Sequence, residues 1–291
     1  METIIEFNNV TYQYPLTNSP AVKNLNVKLE KGKLYGIVGE NGVGKTTFSI
    51  LICGFAPSFY KGELKGELII KGKNVQDYQA GELSKIAGYV FQNPFNQISG
   101  IKKTVFEELA FGLENFGYDP QTIEDKVVEI AEAADIIELL EKNPFELSGG
   151  QLQRVALASV LVLKQEIVVI DEPTSQLDPA STESIFKLIE KLKKFGITII
   201  LVEHKLDLLA EYADEIIVMQ NNTIVDFGKT EQILSDLSMK EKGIQLPQVT
   251  LLAEKLVKRG MKLDYLPITE KRAYEVIEKA LGGDELCRVS D

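Results

Sequence analysis

The chain has 291 residues, of which 44% are hydrophobic and 26% charged, and its formal net charge is −11. This length exceeds one typical domain and predicts a main domain with a smaller appendage. The acidic balance argues against broad, non-specific nucleic-acid binding, although a local basic patch is compatible with it. Cys53 and Cys287 lack metal-ligand spacing and are interpreted as separate reduced thiols in the cytosol. The sequence shows no signal peptide and no apolar run of the roughly 18 residues that span a membrane, so a membrane role would require partners.

The strand signals fall into two groups. Alternating apolar residues predict strands of an antiparallel layer at Ile4–Phe7, Leu25–Leu29 and Glu63–Ile70. Continuous apolar runs, separated by helical stretches, predict a parallel sheet covered on both faces; they are Leu34–Val38, Ile167–Ile170 and Ile197–Val202. The fold class is therefore α/β.

Two regions are predicted to be helical rather than mixed. Between about Thr104 and Leu147 the strand signals stop, which indicates a helical insertion at about residues 95–150. After about Gln232 one predicted helix ends at Gly260 and another begins after a Thr269 cap. We therefore expect a main domain over residues 1–232 and a small, mostly helical C-terminal extension over residues 233–291.

Residues 39–46 match the phosphate-binding pattern G-x-x-x-x-G-K-[ST] between an apolar strand and a helical stretch. The glycines let backbone N–H groups hold phosphate oxygens, while a plain Gly-rich turn is the alternative. Lys45 should bridge the β- and γ-phosphates and is also a catalytic candidate, and Thr46 should offer its hydroxyl to Mg²⁺. The ATP-binding candidates of this segment are Gly39, Asn41, Gly42, Gly44, Lys45, Thr46 and Thr47.

Asp171 and Glu172 follow the apolar run Ile167–Ile170, at the end of a buried strand where ligand sites form. Asp171 is predicted to hold the metal. Glu172 is the candidate general base that polarises the water attacking the γ-phosphate. Without the phosphate-binding segment, two acids after a strand would be interpreted as solvated turn residues.

The chain is identified as a member of the ATP-binding-cassette family by two features, the phosphate-binding pattern and the segment Leu147-Ser148-Gly149-Gly150-Gln151. The resemblance covers about residues 3–232. The resemblance implies a P-loop NTPase cassette with an antiparallel β subdomain, a helical insertion and a small C-terminal extension. It also implies that two cassettes bind head to tail, with each ATP between the phosphate-binding loop of one chain and Ser148 and Gly150 of the other. Amide groups at the start of a helix suit an anion in this way.

Further family motifs occur in chain order. Gln92 resembles the Q-loop glutamine that senses Mg²⁺ and the attacking water, and His204, the only histidine, resembles the switch histidine near the γ-phosphate. Residues 175–178 resemble the D-loop that contacts the opposite cassette, with Gln176 where alanine is commoner. Tyr14 resembles the aromatic residue that stacks on adenine, although Tyr12 and Tyr14 sharing a strand face would also fit simple packing.

Residues 91–97 and 104–112 look like the ATPase subunits of energy-coupling factor transporters, as does the C-terminal segment. The resemblance implies a peripheral ATPase pair on the cytoplasmic face of the membrane. Its partners would be an integral membrane coupling protein and a substrate-binding membrane protein for a vitamin or transition-metal ion, with no nucleic acid. Phe95 and Phe106 are possible walls of the docking groove, or core residues. The alternatives are a soluble cassette ATPase acting on DNA, ribosomes or iron–sulphur assembly, and a nucleotide-gated module without turnover.

Overall fold

The computed structural model describes residues 2–79, 81–175 and 177–282, and its strands form two sheets. Gln176 and Cys287 lie outside the described residues, as does the predicted extension beyond residue 282. Within the described part of the chain, no helix has the length and apolar character needed to cross a bilayer.

The first sheet has four strands arranged around β1 (Thr3–Gln13). This strand pairs antiparallel with β2 (Val22–Glu30) and β4 (Glu63–Ile70), and the short β5 (Lys73–Asn74) pairs with β4 at the edge. The three strands predicted from alternation are therefore confirmed. β1 and β2 extend beyond their predicted ends because sheet pairing continues past the residues that alternate regularly.

The second sheet has six strands, which are β3 (Leu34–Val38), β6 (Ala87–Val90), β7 (Ile167–Asp171), β8 (Thr198–Val202), β9 (Glu215–Gln220) and β10 (Thr223–Lys229). Their order is β10-β9-β3-β8-β7-β6, with all neighbours parallel except the antiparallel pair β9 and β10. The predicted runs form β3, β7 and β8 in the middle of this sheet. Three flanking strands, β6, β9 and β10, were not predicted.

Alternate residues of the central strands enter two separate hydrophobic cores. Val168 and Ile170 of β7 pack in one core with helices of the insertion, whereas Ile167 and Val169 pack in the other with the antiparallel sheet. Because successive side chains of a strand point to opposite faces, the sheet is covered on both sides, as its continuous apolar runs predict.

The segment between β6 and β7 contains three α-helices, α3 (Val105–Asn115), α4 (Pro120–Ala133) and α5 (Gly149–Leu161). Thr104 and Glu107 form a capping box at the start of α3, which satisfies amide groups that the helix leaves unpaired. The helical content expected between residues 104 and 147 is thus present. The remaining helices of the main domain are α1 (Lys45–Ile52), α2 (Phe55–Ser58), α6 (Pro179–Lys194), α7 (Leu206–Tyr212) and α8 (Thr230–Leu234).

The C-terminal segment contains α9 (Gln248–Lys258) and α10 (Glu270–Ala280), and Thr269 caps α10 as predicted. The predicted boundary after residue 232 falls inside α8. Ile244 and Leu246 are buried in the same core as the insertion helices. Ile268, between α9 and α10, is buried in this core too, so the C-terminal segment shares a core with the main domain.

Candidate functional site

The phosphate-binding loop connects β3 to α1 and needs glycine for steric reasons. A Cβ atom on Gly39 would lie 2.3 Å from the carbonyl oxygen of Met219, and one on Gly44 would lie 2.6 Å from that of Ala21. Gly44 also has a φ of 96°, which glycine adopts without strain. Asn41 and Gly42 are exposed at the tip of the loop. The backbone is therefore held close to neighbouring strands while its tip stays open to a ligand.

Lys45 begins α1 and folds its side chain back over the loop. Its Nζ donates hydrogen bonds to the carbonyl oxygens of Gly39 at 2.8 Å and Glu40 at 3.0 Å. Burial lowers the pKa of Lys45, and the nearby Glu172 and Asp171 carboxylates oppose that effect. The loop thus holds a buried amine whose charged form would gain from additional negative charge.

The Asp171 carboxylate lies between Thr46 and Tyr89 and has one oxygen without a hydrogen bond. Thr46 Oγ1 donates to Asp171 Oδ2 at 2.9 Å, and the Tyr89 hydroxyl donates to the same oxygen at 2.8 Å. Within the described residues, the buried Oδ1 has no hydrogen-bond partner. Burial raises the pKa of Asp171. The Thr46 hydroxyl and a carboxylate whose buried Oδ1 has no partner among the described residues are a donor set that fits Mg²⁺, which prefers hard oxygen ligands.

Glu172 is in contact with both Gln92 and His204. Gln92 Nε2 donates to Glu172 Oε2 at 2.7 Å, and His204 Nε2 lies 2.9 Å from Glu172 Oε1. Glu172 also has a φ of 47°, uncommon for a residue with a side chain, and its N–H donates to the carbonyl of Val202. Glu172 and Gln92, predicted to act on the attacking water, and His204, predicted to contact the γ-phosphate, therefore lie together.

Tyr14 lies close to both α1 and Tyr12. β1 ends at Gln13, so Tyr14 lies one residue beyond the strand, and the ring contact between Tyr12 and Tyr14 shows that the packing alternative is present in the structure. Tyr12 is fully buried, whereas Tyr14 is half-buried and its hydroxyl lies 3.3 Å from Thr47 Oγ1. Its ring packs edge-on against those of Tyr12 and Tyr60. An aromatic surface therefore borders the first turn of α1.

A cavity of about 500 Å³ lies beside these groups and is lined by Gly39, Asn41, Glu172 and His204. Gly243, from the segment before α9, also lines it. This volume is within the range of small-molecule sites.

Known proteins are similar to this chain in both sequence and fold. A family model described as ABC transporter matches residues 22–175. A protein of Pyrococcus abyssi, described as an ABC transporter ATP-binding protein, is 38% identical over 89% of this chain and 92% of its own length. This chain belongs to the ABC transporter family. It is accordingly an ABC-type ATPase that binds ATP, with the α/β cassette fold predicted from its motifs.

Other relatives and solved cassettes agree with the assignment. The energy-coupling factor transporter ATP-binding protein EcfA of Methanothermobacter thermautotrophicus is 33% identical over 97% of this chain and 88% of its own length. The structure of cbiO1 from Clostridium perfringens, described as part of the ABC transporter complex cbiONQ, has a TM-score of 0.73 and 29% identity over 87% of this chain and all of that one. A dimeric cassette in a post-hydrolysis state, bound to ADP and phosphate, has a TM-score of 0.68 and 27% identity over 78% of this chain and 99% of its own.

The cassette signature lies at the start of α5, apart from the phosphate-binding loop. Ser148 caps the helix and forms a capping box with Gln151. A Cβ atom on Gly150 would lie 2.4 Å from Ser181 Oγ of α6. Among the described residues, no hydrogen bond or ion pair connects Ser148 or Gly150 to the loop.

The D-loop leads into α6. Asp178 is the N-cap of that helix and accepts a hydrogen bond from the N–H of Ser181 at 3.0 Å, so the alternative role as a helix cap is present in the structure.

Two buried polar residues of the site were not predicted from the sequence. One is Tyr89, which contacts Asp171. The other is Glu203, only 3% exposed, which accepts hydrogen bonds from Thr174 Oγ1 at 2.8 Å and from the N–H of His204 at 2.9 Å. Their positions in the sequence could have identified both residues, because Tyr89 lies in the strand that leads to Gln92 and Glu203 directly precedes His204.

Proposed function

We propose that this chain is the ATPase subunit of an energy-coupling factor type importer, which powers uptake of a vitamin or transition-metal ion. The similarity to EcfA proteins carries the proposal, because it covers 91–98% of the chain, well beyond the part common to the whole family. That span includes the C-terminal segment with α9 and α10. The chain then acts as a peripheral protein on the cytoplasmic face of the membrane, bound to an integral coupling protein and a substrate-binding protein.

In the proposed reaction Glu172 acts as general base on the water that attacks the γ-phosphate. Gln92 and His204 hold its two carboxylate oxygens, which fixes the direction in which the base can accept a proton. His204 then has a second role as a donor to the γ-phosphate. Its side chain is 46% exposed, so it can reach a ligand in the adjacent cavity.

Lys45 is proposed to exchange its two loop carbonyl partners for the β- and γ-phosphates. The glycine backbone around it donates amide groups to the same oxygens. Thr46, Asp171 and Gln92 are the proposed residues for Mg²⁺, which when bound would neutralise and orient the phosphates. The Asp171 oxygen that lacks a hydrogen bond supports this assignment.

The working unit is proposed to be a pair of cassettes. Ser148 and Gly150 are proposed to contact the ATP held by the second chain, either an identical copy or a paralogue. The dimeric cassette bound to ADP and phosphate, to which this chain is 27% identical, supports this arrangement.

Exposed apolar side chains near the Q-loop support a docking surface for the membrane partner. Phe95 and Ile101 follow Gln92 closely in sequence and are exposed, Phe95 by 56%, and the exposed Phe145 lies beside Gly100. Phe106 is half-buried against the main core, so of the two proposed wall residues Phe95 is the one that can contact a partner. A cavity of about 500 Å³ lined by Phe55, Ala56 and Tyr78 lies beyond the end of α1.

The test is affinity purification of the tagged protein from detergent-solubilised membranes of its native cell, with bound proteins identified by mass spectrometry. We expect a small multi-spanning membrane protein, with a second cassette ATPase if the pair is mixed. Recovery of only ribosomes, DNA or iron–sulphur assembly factors would overturn the importer and favour the soluble alternative. A Phe95→Asp variant should lose the membrane protein, whereas Phe195→Asp, on an exposed phenylalanine at the end of α6, should retain it.

A further inference from the structure

Tyr89 controls which oxygen of Asp171 is available. It is 6% exposed and lies on β6, the neighbour of the strand that ends at Asp171. Its hydroxyl and that of Thr46 both donate to Asp171 Oδ2, while Oδ1 stays buried without a hydrogen bond among the described residues. Two donors on one oxygen fix the carboxylate in a single orientation. They also leave the other oxygen free for a ligand.

The Tyr89 ring is itself held by two aromatic neighbours. Its centroid lies 4.9 Å from that of Phe91 and 5.6 Å from that of Phe55. The Tyr89 hydroxyl donates to Asp171 Oδ2 at 2.8 Å, so replacing tyrosine by phenylalanine removes this donor and keeps the ring. Phe55 also lines the cavity beyond α1.

We infer that Tyr89 is a positioning residue for Mg²⁺ binding, and that Phe55 acts on the same carboxylate through the Tyr89 ring. The inference rests on the proposed metal-binding role of Asp171. Partners that orient a metal ligand typically change metal affinity or activity by about 10–100-fold when they are removed. The same contacts give the aromatic wall of the cavity a direct physical path to the metal ligand. That path runs from Phe55 to Tyr89 to Asp171.

The first test uses Tyr89→Phe, which keeps the ring contacts and removes only the hydroxyl. Purified full-length protein is titrated with Mg²⁺ at fixed ATP, and the rise in thermal unfolding midpoint is recorded. Binding of a fluorescent ATP analogue in EDTA is measured separately. We expect the half-saturating Mg²⁺ concentration to rise about tenfold, with metal-free nucleotide binding unchanged.

The matched control is Tyr78→Phe. Tyr78 also lines the cavity, but its hydroxyl donates to the carbonyl of Ile70 rather than to Asp171. The Tyr78→Phe variant should therefore have the same Mg²⁺ requirement as wild type. An unaltered Mg²⁺ requirement in Tyr89→Phe would overturn the inference, as would an equal loss of metal-free nucleotide binding, because either result would assign Tyr89 a purely structural role.

The second test is a double-mutant cycle with Phe55→Leu, which keeps the Tyr89 hydroxyl and changes the packing of its ring. We expect a smaller rise in the Mg²⁺ requirement, and no further rise when Phe55→Leu is added to Tyr89→Phe. Additive effects would reject the path through Tyr89. This variant also tests the inference should Tyr89→Phe fail to fold.

These experiments need no membrane partner, so their outcome is independent of the importer proposal. If wild-type protein shows no Mg²⁺-dependent stabilisation by ATP, the proposed metal site itself is wrong. If wild type responds and Tyr89→Phe responds identically, only the role of Tyr89 is wrong.

Discussion

His204 Nε2 lies 2.9 Å from Oε1 of Glu172, and this contact joins the ends of two neighbouring strands, β8 and β7. The other Glu172 oxygen accepts from Gln92, which follows β6 on the far side of β7. Residues from three adjacent strands therefore converge on one carboxylate. Such convergence at the carboxyl ends of parallel strands is where α/β proteins form their ligand sites.

Replacement of Glu172 by Gln should lower ATP turnover by about 10²–10⁴-fold, because an amide keeps the shape of the side chain but cannot accept the proton. ATP binding should persist, and a closed, ATP-bound dimer should accumulate on size-exclusion chromatography. Phosphate release measures the turnover. Glu190→Gln, on an exposed residue that pairs with Lys194, is the control and should retain wild-type activity. Turnover in Glu172→Gln equal to that control would remove Glu172 as the base.

Replacement of His204 by Ala should reduce kcat by about 10²–10³-fold with a small change in KM, as expected when one preorganised donor to the transition state is lost. The same change frees Glu172 Oε1 from its contact. Steady-state kinetics separate the two parameters. A rise in KM with unchanged kcat would show instead that His204 serves ground-state binding.

The sequence predicted the strands whose pattern is strong in itself. The run Leu34–Val38 has the same bounds in the structure, and its apolar residues need no neighbour to be recognised as buried. β6 is four residues long and includes Gly88, and β9 holds an apolar run that would also suit a buried helix. Pairing with the sheet, rather than local pattern, decides the structure of these segments.

The site residues also divide into those that a local pattern predicts and those that depend on sheet pairing. Lys45, Asp171, Glu172 and His204 were predicted from motifs and from their order along the chain, since each motif lies within a few residues. The contact of Tyr89 with Asp171 depends on β6 lying beside β7 with Tyr89 opposite Val169. That register is a property of the sheet and cannot be deduced from either strand alone.

Mixing two inactive variants tests whether each ATP site combines residues of two chains. Lys45→Ala should lose binding of MgATP, and Ser148→Arg, at an exposed position, should block the signature without disturbing the core. In a mixed pair, one site has both defects and the other has none. With random pairing of copies of this chain, the mixture should recover about a quarter of wild-type activity.

The readout is phosphate release after the two variants are mixed and allowed to exchange. Each variant alone at the same total concentration is the control. Absence of recovery, when exchange is verified with differently tagged chains, would contradict a head-to-tail arrangement of this chain with itself.

Replacement of Asp171 by Asn should make the metal-free and nucleotide-free protein more stable at neutral pH. Burial raises the pKa of Asp171 above its ordinary value of 3.8, with Glu172 adding to the rise and Lys45, Tyr89 and Thr46 opposing it. The protonated carboxyl thus favours the folded state fully below pH 3.8, and this contribution is lost as the pH rises through the folded-state pKa. Asn cannot ionise, so the variant avoids that loss.

Urea unfolding in EDTA at several pH values measures the effect, and the advantage of Asp171→Asn should shrink as the pH falls toward 3.8. Asp178→Asn is the control of opposite sign, because hydrogen bonds from Ser181 lower the pKa of Asp178 and its stabilising contribution is lost on acidification. In the presence of MgATP, wild type should be more stable than Asp171→Asn, because the variant lacks the carboxylate proposed to hold the metal. A pH-independent difference between Asp171→Asn and wild type would show that packing, rather than the buried charge, separates them.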